Sequence, residues 1–130
     1  MVFIAAVLIT GGDPPYNTAE LYLPSSARHM PLTKLPEMRV QHSVSEGGLL
    51  CGGTWTEQTC LQWTPATGAW EMALNLDVGR HFHVSWTPKN SSGTYLMGGG
   101  SSFEESMSTT TLITPDGSQE PGFMLKYFTK

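Results

Sequence analysis

The stretch Leu49-Leu50-Cys51-Gly52-Gly53, an apolar run that ends in paired glycines, dominates the pattern of this chain. Related runs lie on either side of it, with AVLITGG at 6–12 and YLMGGG at 95–100. Copies of one pattern along a chain predict a repeat architecture, in which each copy is one unit of secondary structure. The runs are nearly continuous in apolar residues, which is typical of β-strands buried on both faces.

The first two copies are related by a constant offset of 41 residues, which maps the pair Gly11 and Gly12 onto Gly52 and Gly53. The same offset relates four further pairs: Tyr22 and Trp63, Pro24 and Pro65, Arg39 and Arg80, His42 and His83. The third copy contains Gly98, Gly99 and Pro115, at offsets of 46 from Gly53 to Gly99 and 50 from Pro65 to Pro115. Five and then four residues are therefore inserted, both times in turn-forming sequence, as a repeat architecture tolerates.

Each unit is predicted to contain four short strands. In the middle copy they are expected at Arg39–Ser45, Gly48–Cys51, Thr59–Trp63 and Ala69–Ala73. The segments between them are rich in residues that favour turns. We expect a side chain at the glycine pair to collide with whatever lies across the strand end. Trp70, on the last strand, is expected to cover that gap.

The composition indicates one globular all-β domain. Apolar residues make up 39% of the 130 residues and charged residues only 14%, with 14 Gly and 9 Pro. The net charge is −4 and no basic cluster is present, which argues against a nucleic-acid partner. The apolar run Val2–Ile9 lacks the flanks of a signal peptide and is too short to span a bilayer. We therefore expect a buried strand there, with no leader and no membrane span.

Arg-x-x-His, an apolar strand, Gly-Gly, aromatic-x-Pro, a turn and Trp together resemble the kelch repeat of β-propellers. Here the pattern is Arg39, His42, Leu49–Gly53, Trp63-Thr64-Pro65 and Trp70. The resemblance implies a partial kelch-type β-propeller built of four-stranded antiparallel meander blades. It divides the single domain 1–130 into an incomplete blade at 1–38, a complete blade at 39–79 and a third blade at 80–130.

The first and third units depart from this pattern. His29 falls where Trp70 lies in the middle unit, and Glu120 falls there in the third, with Phe123 as a substitute. Looser packing of these units is expected. Propellers have about four to eight blades. The resemblance therefore implies that further blades, or self-association, must cover the open edges of this chain.

Cys51 and Cys60 are the two cysteines of the chain. A hairpin with the loop Thr54–Glu57 places them directly opposite each other, where the first unit has Thr10 and Ala19. Two interpretations follow: a cross-strand disulfide, or two buried free thiols. A disulfide implies an oxidising compartment.

The triplet Asn90-Ser91-Ser92 matches a glycosylation acceptor and points the same way. An extracellular location is expected, with the cytoplasm as the alternative. Cys51, Cys60, His81 and His83 do not match zinc-site spacings. His83 also repeats His42, so a structural role is expected for it, with no metal and no cofactor.

Propeller loops present binding residues. The candidate loops are 13–17, 54–58 and 101–105, with Tyr16, Trp55 and Phe103 as the candidate binding residues. Trp55 is expected either to anchor a partner or to cover a strand end.

The resemblance implies a non-catalytic interaction module of an extracellular recognition or adhesion protein, with a protein or glycan partner. An alternative is an intracellular kelch substrate receptor. Another is a copper enzyme like galactose oxidase, although that family's cysteine–tyrosine motifs find no residue-by-residue match here.

Overall fold

The computed structural model describes residues 6–12, 14–89, 93–101 and 106–122, and these residues are all-β. No helix lies in these ranges, so none there is long or apolar enough to cross a membrane. The strands are β1 (Val7–Thr10), β2 (Ala19–Leu23), β3 (Arg28–Pro31), β4 (Ser43–Ser45), β5 (Leu49–Cys51), β6 (Thr59–Thr64), β7 (Ala69–Asn75), β8 (Val84–Trp86), β9 (Thr94–Met97), β10 (Thr110–Ile113) and β11 (Gln119–Pro121).

The strands form three antiparallel sheets, each a meander in which every strand pairs with its neighbours along the chain. We call β1–β3 the first sheet, β4–β7 the second sheet and β8–β11 the third sheet. The expected grouping of strands in fours is confirmed for the second and third sheets. The repeat register is also present, because Tyr22 pairs with His29 as Trp63 pairs with Trp70, 41 residues later.

One predicted strand is wrong. The strand expected over Arg39–Ser45 is confined to β4, and residues 39–42 form a connecting segment. The backbone of this segment contacts neighbouring segments: the N–H of Arg39 donates to the carbonyl of Tyr16, and the carbonyl of Val40 accepts from Thr54. Gln41 has a φ of 60°, which no strand residue adopts. Strand ends elsewhere differ from the prediction by two residues or fewer, which is within normal fraying.

The two inner strands of the second sheet, β5 and β6, are buried on both faces, as predicted. Successive residues of a strand point to opposite faces, and the neighbours Leu50 and Cys51 are 0% and 1% exposed. Cys60 and Leu61 on β6 are equally inaccessible. Packing between the second and third sheets forms one apolar cluster, made of Cys51, Cys60, Leu76, Leu96 and Ile113. The buried strand expected over Val2–Ile9 is not confirmed, because Val7 and Ile9 on β1 are 49% and 43% exposed.

At each of the first two glycine pairs, the backbone of the following unit packs directly against the glycines. Gly52 has a φ of 71°, and a Cβ there would lie 2.3 Å from the carbonyl oxygen of Arg80. Its neighbour Gly53 donates its N–H to that same oxygen at 2.9 Å. Gly11 meets the carbonyl oxygen of Arg39 in the same way, again at 2.3 Å. The expectation that a side chain would collide here is therefore confirmed.

Trp70 does not cover the glycines, so that expectation was wrong. Its ring lies 5.2 Å from that of Trp63, and its Nε1–H donates to the carbonyl of Thr33 at 3.0 Å. The gap at Gly52 is filled instead by the backbone of Arg80 and by the imidazole ring of His83, whose Cε1 would lie 2.7 Å from a Cβ there. His29 occupies the equivalent place in the first sheet, with its ring 4.8 Å from that of Tyr22.

In the third sheet the residue equivalent to Trp70 is Gln119, not Glu120. Gln119 pairs with Ile113, so this hairpin is one residue shorter than the hairpin between Trp63 and Trp70. Its side-chain amide donates to the carbonyl of Asn75 and accepts from the N–H of Asp77, both at 2.7 Å. Trp70 and Gln119 therefore each tie a sheet to the end of the preceding one. Phe123, the suggested substitute, lies outside the described residues.

Substituting Gly52 by Ala should destabilise the fold far more than substituting Gly68. Both glycines have nearly the same φ, 71° and 67°, but a Cβ on Gly68 meets nothing within 4 Å. Gly68→Ala should therefore cost only the left-handed backbone term of about 1–2 kcal/mol. Gly52→Ala should cost at least about 3 kcal/mol, because the Arg80 backbone must also move. Urea unfolding of both variants measures the difference. Equal decreases in the free energy of unfolding would contradict the close contact of Gly52 with the Arg80 backbone.

Candidate interaction surface

Three segments meet at one end of the second and third sheets, and we call them the loop face: residues 39–42, 54–59 and 77–82. Main-chain hydrogen bonds join them. Thr54 donates to the carbonyl of Val40 and Phe82 to that of Gln41, both at 2.9 Å. Arg80 donates to the carbonyl of Glu57, also at 2.9 Å. The loop face is therefore a connected surface whose backbone is fixed by its own neighbours.

A cleft of about 480 Å³ opens on the loop face. It is lined by 55–59, 77–79 and Ser101. Two carboxylates, Glu57 and Asp77, contribute to its walls beside the indole of Trp55. His81 stands next to it, with Nδ1 3.9 Å from a carboxylate oxygen of Glu57. The cleft thus combines an aromatic ring with polar and acidic groups.

Trp55 and Phe82 are the most exposed large apolar side chains of the loop face, each 67% exposed. Both have left-handed backbones, with φ of 72° and 56°. Such a conformation is unfavourable for a bulky residue and clusters at functional sites. Trp55 was expected either to anchor a partner or to cover a strand end. Its exposure excludes the covering role.

Phe82 was missed from the sequence. It occupies the repeat position of Gln41, between Arg80 and His83, and both residues have positive φ. The repeat register is the signal that could have identified Phe82. A position that holds glutamine in one unit is solvated, so an aromatic at the same position in the next unit is an exposed aromatic.

The other candidate binding residues lie elsewhere. Tyr16 is half-buried in the first sheet's loop, where its carbonyl accepts from the N–H of Arg39 at 2.8 Å. Glu57 occupies the equivalent place under Arg80, so the register places Tyr16 at a junction between units. Phe103 and the acceptor Asn90 lie outside the described residues.

Arg39 and Arg80 lie in segments of the loop face, and their side chains are fully buried. Nη1 of Arg39 donates to the carbonyls of Gly52 and Thr59, at 2.8 and 2.9 Å. Nη1 of Arg80 makes the equivalent bonds to Gly98 and Thr109, both at 2.9 Å. Each guanidinium therefore holds together the two strands that flank the glycine pair of its own sheet. The five donors of a guanidinium suit this arrangement.

The two arginines differ in how their charge is balanced. Nη2 of Arg39 donates to the carboxylate of Glu37 at 2.6 Å. The residue that repeats Glu37 in the next unit is Val78, and Nη2 of Arg80 donates instead to the hydroxyls of Thr109 and Thr111. Burial lowers the pKa of both arginines, but only for Arg39 does a neighbouring carboxylate oppose that effect. Arg80 is a buried cation held by neutral acceptors.

His42 and His83 join neighbouring sheets through neutral rings. Nε2 of His42 is hydrogen-bonded to the hydroxyl of Thr10 at 2.7 Å, and Nε2 of His83 to that of Ser43 at 2.8 Å. Burial, and then the nearby arginine, lowers the pKa of each histidine to about 4. Both rings are therefore uncharged at neutral pH and serve as hydrogen-bonding packing groups.

Cys51 and Cys60 pair across β5 and β6 as the hairpin predicted, with Cα atoms 4.2 Å apart. The structure joins their sulfurs to each other within the cluster between the second and third sheets. No group of three or more potential metal ligands was found in the part of the chain that the structure describes.

Replacing Val78 by Glu should stabilise the protein by about 1 kcal/mol, because a carboxylate there can pair with Arg80 as Glu37 pairs with Arg39. Conversely, Glu37→Gln should lower the free energy of unfolding by a similar amount. Urea unfolding measures both. Val78→Gln is the matched control, since it has the same length without the charge. An equal gain from Val78→Gln would show that charge balance is not the cause.

Comparison with known proteins adds no identity to these observations. Neither protein-family models nor curated protein sequences gave a match to this chain. What is established is therefore what the chain itself shows: an all-β structure of three antiparallel meander sheets, with a joined cysteine pair across two strands of the second sheet.

Proposed function

We propose that this chain is a kelch-type interaction module, a portion of a β-propeller that binds a protein partner through its loop face. The propeller assignment is supported by successive four-stranded meanders that share one register and pack face to face. It is supported further by the repeated arginine and glycine contacts, which tie each unit to the next.

The observation that carries the binding proposal is the pair of exposed aromatic residues on a fixed backbone. Trp55 sits in a turn in which Thr56 donates its N–H to the carbonyl of Gly53 and its hydroxyl to that of Gly52. Phe82 is held by its N–H bond to Gln41. Because hydrogen bonds already hold both backbones, binding costs little conformational entropy. More of the free energy from burying the two rings therefore contributes to affinity. Tryptophan and other aromatic residues are the usual anchors of protein interfaces.

An extracellular location is part of this proposal. The joined cysteines support it, because such bonds persist in oxidising compartments and are rare in the cytosol. An intracellular substrate receptor fits the pair less well. The same bond also weighs against a galactose-oxidase-like enzyme, since that chemistry needs a cysteine linked to a tyrosine and both cysteines of this chain are already joined to each other.

The binding proposal is tested by screening the purified chain against a panel of cell-surface ectodomains and, separately, against a glycan array. We expect at least one ectodomain to bind. Trp55→Ala and Phe82→Ala should each weaken that complex at least about tenfold, which corresponds to about 1.4 kcal/mol. Met72→Ala is the control, because Met72 is similarly exposed on β7, away from the loop face.

Thermal unfolding of the three variants should agree with that of the parent chain, because all three side chains are exposed. Ectodomain binding that ignores both aromatic substitutions would contradict the loop-face assignment. Binding to glycans alone would contradict a protein partner.

The location is tested through the cysteines. Secreted material should show no free thiol and should gain about 2 Da on reduction. The double variant Cys51→Thr with Cys60→Ala reproduces the Thr10 and Ala19 pair of the first sheet. It should still fold but lose about 2.5 kcal/mol, the chain-entropy value for a loop of about ten residues. Free thiols in native secreted material would remove the argument for an oxidising compartment.

A further inference from the structure

Two sheet faces remain open at opposite ends of the described structure. We call the outward face of the first sheet, which contains Val7, Ile9 and Tyr22, the head face. The outward face of the third sheet, which contains Val84, Trp86 and Met97, is the tail face. Both faces expose apolar side chains: Ile9 is 43% exposed and Val84 is 58% exposed. The second sheet lies between the other two, so the two open faces cannot meet within one chain.

The repeat shows what covers a head face. Ile9 is equivalent to Leu50 at an offset of 41 and to Leu96 at a further 46, and both leucines are 0% exposed. Tyr22 is equivalent to Trp63 and then to Ile113. Leu96 and Ile113 pack on Cys51 and Cys60 of the preceding sheet. A head face is therefore buried wherever a preceding sheet is present.

The repeat also shows what a tail face contacts. Met97 is equivalent to Cys51, and Thr110 to Cys60, the two residues that receive Leu96 and Ile113. Val84 is equivalent to Ser43, which is only 8% exposed because the third sheet covers it. At the interface between the second and third sheets, the tail face of the second sheet therefore packs on the head face of the third sheet.

We infer that two copies of this chain associate head to tail, with the tail face of each copy packed on the head face of the other. The junction continues the interface already formed between the second and third sheets, with Ile9 and Tyr22 in the places of Leu96 and Ile113. Two copies bring six described sheets, within the range of about four to eight that closes a ring of radially packed sheets. A heterologous contact that closes after two copies leaves no open face.

The inference rests on the propeller part of the proposed function but not on the binding role of the loop face. It is tested on the full chain by light scattering coupled to size exclusion. A mass twice the 14.2 kDa of the chain is expected. A monomer at all concentrations up to about 1 mM, or an assembly that keeps growing with concentration, would overturn it. Trp55→Ala should leave the mass unchanged, so failure of one proposal is distinguishable from failure of the other.

Single substitutions separate head-to-tail packing from a contact between identical faces. Ile9→Asp and Val84→Asp each place a carboxylate on one open face and should each weaken association at least about tenfold. Met72→Asp is the matched control and should not. If only one of the two variants dissociates, the contact joins identical faces and the inference is wrong.

Mixing the two variants gives the sharpest readout. The Ile9→Asp chain keeps its tail face and the Val84→Asp chain keeps its head face, so the mixture should recover one junction and associate more strongly than either variant alone. No recovery would contradict the inference. Thermal unfolding is compared at a concentration low enough for the parent also to be monomeric, because association stabilises the folded state. There the variants should match the parent, since both positions are exposed in the single chain.

Discussion

The close approach of one backbone to the glycine pair of the preceding sheet is the constraint on which this structure depends. The carbonyl of Arg80 occupies the space that a Cβ of Gly52 would need, and the N–H of Gly53 donates to that carbonyl. This contact fixes where the next sheet begins. The arginine that supplies the carbonyl then turns its guanidinium into its own sheet. A single residue therefore sets both the spacing between sheets and the closure of the strands within one.

The register carried most of the predictable information. An offset of 41 residues placed the glycine pairs and the aromatic–Pro turns correctly, because equivalent positions in a repeat have equivalent surroundings. The facing cysteines followed from the length of the hairpin loop between β5 and β6. The strand prediction failed at Arg39–His42, where the segment is a connection whose backbone bonds to both of its neighbours. The register failed at Glu120, since a hairpin shortened by one residue moves every later side chain by one position.

The side chains that carry the proposed function were harder to predict. Trp55 was found because it stands alone in a turn, but whether it covers a strand end depends on the shape of the neighbouring sheet. Phe82 was overlooked because its neighbours Arg80 and His83 define the motif and its own position is variable. Trp70 was assigned to the glycine gap by size alone. The sequence pattern alone does not show that the gap is already filled by the backbone of the next unit and by its repeated histidine, His83 at Gly52.

Every strand of these sheets pairs with a strand adjacent to it along the chain. The described bonds that join one sheet to the next stay within neighbouring units, and the longest of them, between Asn75 and Gln119, spans 44 residues. Because the entropy lost on closing a loop grows with its length, adding a further sheet carries no long-range closure cost. Cooperativity then passes only between nearest neighbours, and the stability of the molecule grows roughly as a sum over sheets and their junctions. A weak junction at one end of the molecule therefore lowers the stability of that end and has little effect on the sheet at the other end.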